Sequence, residues 1–113
     1  MIPTQVHGVI DYVYGVLLVV APFLIGFVAI PVAAWILVLA GVGAILYSLL
    51  TDYELGLYRL IPMTVHLALD VVAGVFLVLS PWLFGFADRI WWPHVVAGAI
   101  SIVVPLFTSR LPS

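Results

Sequence analysis

"VHGVIDYVYGVLLVVAPFLIGF", Val6–Phe27, and "VHLALDVVAGVFLVLSPWLFGF", Val65–Phe86, are two copies of one segment. Aligned at an offset of 59 residues, Ile2–Phe27 and Ile61–Phe86 are identical at 14 of 26 positions without a gap. Shared oiliness would match Leu and Val by chance. It would not hold Pro3/Pro62, His7/His66, Asp11/Asp70, Gly15/Gly74, Pro22/Pro81 and Gly26/Gly85 in register, so the chain is an internal duplication. Each copy is apolar on all faces apart from a histidine and an aspartate four residues apart. A helix of this length rises roughly 33 Å, enough to cross a hydrocarbon core of about 30 Å.

Composition points to the same solvent. Of 113 residues, 66% are hydrophobic and 7% charged, against roughly 25% charged in a soluble domain. The charged residues are too few to make a water-facing surface. Strands open to lipid would leave backbone groups unpaired, so the spans are expected to be helical. Four are expected: Pro3–Phe27, Pro31–Leu50, Pro62–Phe86 and Trp92–Thr108. A proline stands at or near each start, where its missing N–H costs nothing. No Lys or Arg precedes Arg59, and a secretory leader would need a basic start; the first span is read as retained.

The fold expected is therefore all-α, a four-helix transmembrane bundle built from two tandem, parallel-oriented helical hairpins. Residues 1–113 form a single integral membrane domain, with repeat 1 over 1–50, a loop over 51–61 and repeat 2 over 62–113. An even number of spans per repeat makes both enter the membrane in the same direction, about a pseudo-two-fold axis along its normal. The termini and middle loop then share a side carrying Arg59 and Arg110, against Arg89 opposite, which favours cytoplasmic termini. Trp35, Trp82, Trp91 and Trp92 are expected at one interface, and Tyr47, Tyr53 and Tyr58 at the other.

His7 and Asp11 lie on one helix face about 6 Å apart along the axis, and His66 and Asp70 repeat the arrangement. An aspartate mid-span costs about 2.5–3.5 kcal/mol of insertion free energy, which the apolar neighbours can outweigh. Such groups face the bundle interior and pair. Three uses are open for the cluster His7, Asp11, His66 and Asp70. Each Asp accepts from its own repeat's His or a neighbouring helix and fixes register; the cluster relays protons or a small solute; or its N and O atoms ligate a transition metal. The first is favoured.

The motif around Pro22, and around Ser80, Pro81 and Trp82, reads as a kinked exit. Pro22 cannot bond the Leu18 carbonyl and Pro81 cannot bond that of Leu77; Ser80 can take up the latter, Ala21 cannot take up the former. "LAGVGA" (Leu39–Ala44) and "VAGAIS" (Val96–Ser101) allow close helix packing, within the bundle or in a homo-oligomer. His94 is expected to be solvated at an interface, and Arg59 to meet Asp52 and Glu54 in a solvated loop. A net charge of −2 offers no basic face to nucleic acid. The absence of cysteine removes disulfides and thiolate sites. No nucleophile–base set or phosphate loop is present, so no enzyme activity and no cofactor are expected.

The doubled pattern P-x-x-x-H-x-x-x-D-x-x-x-G followed by Ser80–Pro81–Trp82 and G-F, together with "TDYELGLYRLIPM" at Thr51–Met63, resembles the SPW repeat family. The first copy departs from it with Ala21–Pro22–Phe23. The resemblance implies a small integral membrane protein with a pair of transmembrane helices per repeat, in a bacterial-type inner membrane. It implies no substrate or catalytic residue. The expected role is structural or interactive, with the lipid bilayer as partner; the alternative is a proton-coupled or small-solute transporter or channel using the paired His/Asp cluster.

Overall fold

The computed structural model describes residues 1–109. They form α1 (Thr4–Ile25), α2 (Pro31–Leu49), α3 (Met63–Leu83) and α4 (Trp92–Leu106). α1 and α3 begin directly after Pro3 and Pro62, whose backbones are extended. Pro31 and Pro93 sit in the first turns of α2 and α4. Pro22 and Pro81 lie inside the last turns of α1 and α3.

α1 and α3 stop short of Phe27 and Phe86. The reason is a glycine with positive φ after each, Gly26 at 95° and Gly85 at 74°, which closes a helix where a side chain would be strained. The N–H of Phe27 then donates to the Pro22 carbonyl at 2.9 Å, and that of Phe86 to the Pro81 carbonyl at 2.8 Å. These bonds fold both phenyl rings into the core, where each is 3% exposed.

α1 packs chiefly on α2, and α3 on α4. The approach is close because glycine faces glycine: Gly15 meets Gly41, and Gly74 meets Gly98. The small residues at Gly41 and Gly98 thus serve packing within each hairpin, while Gly43 faces open space.

The hairpins run in the same direction. At one end, parallel bridges join Ile2 to Thr108 and Thr51 to Ile61. At the other, His94 at the start of α4 reaches Ala33 at the start of α2. Ile2, Thr108 and the 51–61 loop therefore lie opposite the two hairpin turns. Near the turns the core is apolar, with Leu18, Leu37, Leu77, Ala97, Phe27 and Phe86 in one cluster.

The outer faces present Val13, Leu17, Leu39, Leu46, Val72, Leu79 and Val103. Such surface suits lipid, not water. α1, α2 and α3, with 22, 19 and 21 residues, are long and apolar enough to cross a membrane. α4 has 15 residues and rises only about 22 Å. Trp35, Trp82, Trp91 and Trp92 are all exposed, at the turn end. Arg110, counted in the charge comparison, lies outside the described residues.

Candidate functional site

The i,i+4 spacing puts His7 with Asp11 on the inner face of α1, and His66 with Asp70 on the inner face of α3. All four side chains are buried. The hairpin packing brings the two faces together, so the pairs merge into one ring. Nε2 of His7 lies 3.0 Å from Asp11 Oδ1 and 3.1 Å from Asp70 Oδ2. Nε2 of His66 lies 3.0 Å from Asp11 Oδ2 and 3.4 Å from Asp70 Oδ2. The imidazoles meet edge to face, with centroids 5.3 Å apart. Each carboxylate thus faces the histidine of its own repeat and that of the other.

The outer nitrogens fix the tautomers. Thr108 Oγ1 donates to the Val104 carbonyl at 2.7 Å and lies 2.9 Å from His7 Nδ1. Thr51 Oγ1 donates to the Tyr47 carbonyl and lies 2.7 Å from His66 Nδ1, also at 2.7 Å. A hydroxyl has one hydrogen, and each is already committed to a carbonyl. Each threonine oxygen therefore accepts from an Nδ1–H, and both Nε2 atoms point into the ring. Each threonine follows the second helix of one repeat and holds the histidine of the other: Thr108, after α4, holds His7, while Thr51, after α2, holds His66.

Two tyrosines complete the carboxylates. Tyr53 O–H donates to Asp11 Oδ2 at 2.8 Å, and Tyr47 O–H donates to Asp70 Oδ1. Neither is an interface aromatic as expected; both turn inward, because a buried carboxylate needs donors. Burial, and the Asp11 carboxylate beside it, push the Tyr53 hydroxyl above its usual range, so it remains a donor. Tyr58 alone of the three is exposed. The backbone carbonyl of Asp70 accepts from Ser101 Oγ at 2.7 Å.

The 51–61 loop is a lid on the ring as well as a solvated linker. It delivers Thr51 and Tyr53, both buried. Its Leu55 packs over Gly8, and the Leu55 carbonyl accepts from Tyr12 O–H at 2.8 Å. The Glu54 carboxylate accepts from Thr4 Oγ1 at 2.7 Å, and Arg59 Nη2 donates to the Glu54 backbone carbonyl at 3.5 Å.

Beside the ring lies a cavity of about 20 Å³, lined by Tyr14, Tyr47, Ser101 and Val104 among others. That is room for roughly one water.

Pro22, Ser80, Pro81 and Trp82 are not part of the ring; they lie near the hairpin turns. Ser80 Oγ donates to the Leu77 carbonyl at 2.7 Å, the carbonyl that Pro81 cannot serve. Pro22, Ser80 and Pro81 are buried, whereas Trp82 and Phe23 are exposed.

His94 corrects an expectation. It is fully buried, not solvated. Its Nε2–H donates to the Ala33 carbonyl at 2.9 Å, and its ring lies between Phe27 and Phe86 at 5.8 and 4.8 Å. The unwound stretch before α4 lets it drop inward beneath the two phenyl rings. His94→Ala is expected to cost about 2–4 kcal/mol by opening a cavity and leaving Ala33 without this donor. His94→Phe should cost under about 1.5 kcal/mol, both read from unfolding in mixed micelles.

Thr51, Thr108, Tyr47 and Tyr53 were not among the expected site residues. A signal for the threonines exists at an offset of 57. There Trp35/Trp92, Ala40/Ala97, Gly41/Gly98, Ile45/Ile102 and Thr51/Thr108 align. The second helices match poorly at 59 because two residues are missing from the second copy.

A protein-family model described as SPW repeat domain matches residues 5–108. No curated protein and no solved structure gives a match.

Proposed function

We propose, from the premise that the chain belongs to the SPW repeat domain family, that it is a structural membrane protein without catalytic activity. In this reading the His/Asp ring clamps two hairpins into one unit. The observation that carries it is the cross-repeat bonding. His7 is held by Asp70 and Thr108, His66 by Thr51, and Asp11 by Tyr53 with His66 Nε2 3.0 Å away, so the polar contacts tie the halves together. The axis beyond the ring is filled by Leu18, Leu37, Leu77, Phe27 and Phe86, which argues against a path through the bundle.

The reading places the protein in a bacterial-type inner membrane with cytoplasmic termini. The count of Arg59 and Arg110 against Arg89 along the sequence supports this direction. Self-association would use the exposed apolar faces, since Gly41 and Gly98 are engaged within the hairpins and Gly43 lines a groove with Ala73, Leu77 and Ser101.

A second reading, proton or small-solute passage, is favoured by one observation: four titratable side chains in continuous contact beside a water-sized cavity. Proteoliposomes decide between them. Wild-type protein should conduct no more protons or potassium than empty vesicles. Flux that disappears in a folded Asp11→Asn/Asp70→Asn variant would replace the structural reading with transport.

A further inference from the structure

We propose that His7, Asp11, His66 and Asp70 form a binding site for one first-row transition-metal dication, with zinc as the representative ion. The site goes beyond the clamp: it assigns the ring a ligand.

Geometry is the first argument. One ligand atom from each of the four residues can be chosen so that all lie within 4.8 Å of one another. The two Nε2 atoms lie 3.1 and 3.4 Å from the same Asp70 Oδ2, and each lies 3.0 Å from one Asp11 oxygen, His7 from Oδ1 and His66 from Oδ2. Zinc bonds nitrogen and oxygen at about 2.0–2.2 Å, and a tetrahedron of that size has edges of roughly 3.3–3.6 Å. The nitrogen–oxygen edges are within a few tenths of an ångström of that size, and the longer separations, up to 4.8 Å, shorten as the ion draws the four atoms together.

The second argument is an atom with nothing to bond. His66 Nε2 is buried and makes no hydrogen bond. Carboxylate oxygens lie 3.0 and 3.4 Å away, but neither is in line for one. A ring nitrogen aimed between two carboxylates, at neither, is disposed as a metal ligand is.

The tautomers are the third. A ligating histidine donates its other N–H to a fixed acceptor, which holds the ring and raises its basicity. Thr108 and Thr51 accept from the Nδ1 atoms of His7 and His66. Tyr53 and Tyr47 anchor the carboxylates from behind.

Charge is the fourth. With both Nδ1 atoms protonated, two further protons make the ring neutral. One dication replaces those two protons and leaves the site neutral again, which a lipid-embedded core favours. Two imidazoles and two carboxylates suit zinc and its first-row neighbours. Calcium and magnesium prefer oxygen alone.

The test uses tag-free, full-length protein in detergent, stripped with a chelator and titrated with zinc alone. One zinc per chain should bind and raise the unfolding midpoint. Cobalt(II) in its place should give the intense visible bands of a four-coordinate ion. Thr51→Val and Thr108→Val, which keep the ligands, should each weaken binding about 10–100-fold. His7→Ala/His66→Ala should abolish it, and His94→Phe, near the hairpin turns, should leave it unchanged. The proposal is overturned by folded wild type that takes up less than about one zinc per ten chains, or by zinc binding that survives His7→Ala/His66→Ala. The wild-type titration stands even where a variant fails to fold. Absence of metal would leave the clamp intact, whereas flux in vesicles would remove the clamp without touching the metal.

Discussion

Asp70→Ala is expected to destabilise the folded protein by about 3–5 kcal/mol, the range for removing one partner of a buried ionic group. Asp70 Oδ2 lies 3.1 Å from His7 Nε2, its Oδ1 accepts from Tyr47, and it faces His66. Truncation leaves the Tyr47 O–H buried without its acceptor and both histidines facing Asp11 alone. Asp11→Ala should cost a similar amount, because Asp11 holds the same position between the histidines and takes Tyr53 in place of Tyr47. A variant with leucine at positions 7, 11, 66 and 70 and phenylalanine at 47 and 53 should recover most of the loss. Apolar groups of similar volume replace buried ionic networks at little net cost. The measurement is SDS-induced unfolding from non-ionic micelles, followed by circular dichroism. Asp70→Ala unfolding with wild-type stability would show that the ring does not hold the halves together.

Gly98→Leu should separate α4 from α3 and cost at least the upper end of the ~1–3 kcal/mol typical of overpacking. A Cβ at Gly98 would stand 2.5 Å from the Gly74 carbonyl oxygen and 2.8 Å from the Val78 nitrogen. Both are backbone atoms, so no rotamer change relieves the contact. Gly41→Leu should act alike in the first hairpin, where the Gly15 carbonyl oxygen would be 2.5 Å away. Gly43→Leu is the internal comparison. Nothing lies within 4 Å of a Cβ there, and the change should shift stability by less than roughly 0.5 kcal/mol. Cysteine pairs placed across the α3–α4 contact would report the separation through lost cross-linking. Equal effects at 43 and 98 would mean that the close glycine contacts do not set the packing.

Much of this architecture was legible in the chain. Apolar runs of membrane length, proline starts and the 59-residue repeat led to four helices in two hairpins of one direction. Ser80 was legible too, because a proline one residue on leaves a known carbonyl unserved. The helix ends were read too late: the segment to Phe27 and Phe86 stays apolar, and hydropathy does not register a glycine adopting positive φ. His94 was misplaced because a histidine beside tryptophans and a proline has the composition of an interface. Only the packing of the start of α4 against Phe27 and Phe86 puts it under two phenyl rings.

The sequence by itself determined which face of each helix carries polar atoms, since a spacing of four is a property of one helix. It also determined that the two faces sit at equal depth, since the repeat copies both. What only the tertiary structure decided is who meets whom. Each histidine is held by the threonine of the other repeat, and each carboxylate is shared by both histidines. Tyr47 and Tyr53 leave the membrane surface to serve them. Those contacts join residues 15 to 101 positions apart; helical periodicity ends within one element, and only packing sets the distance between two.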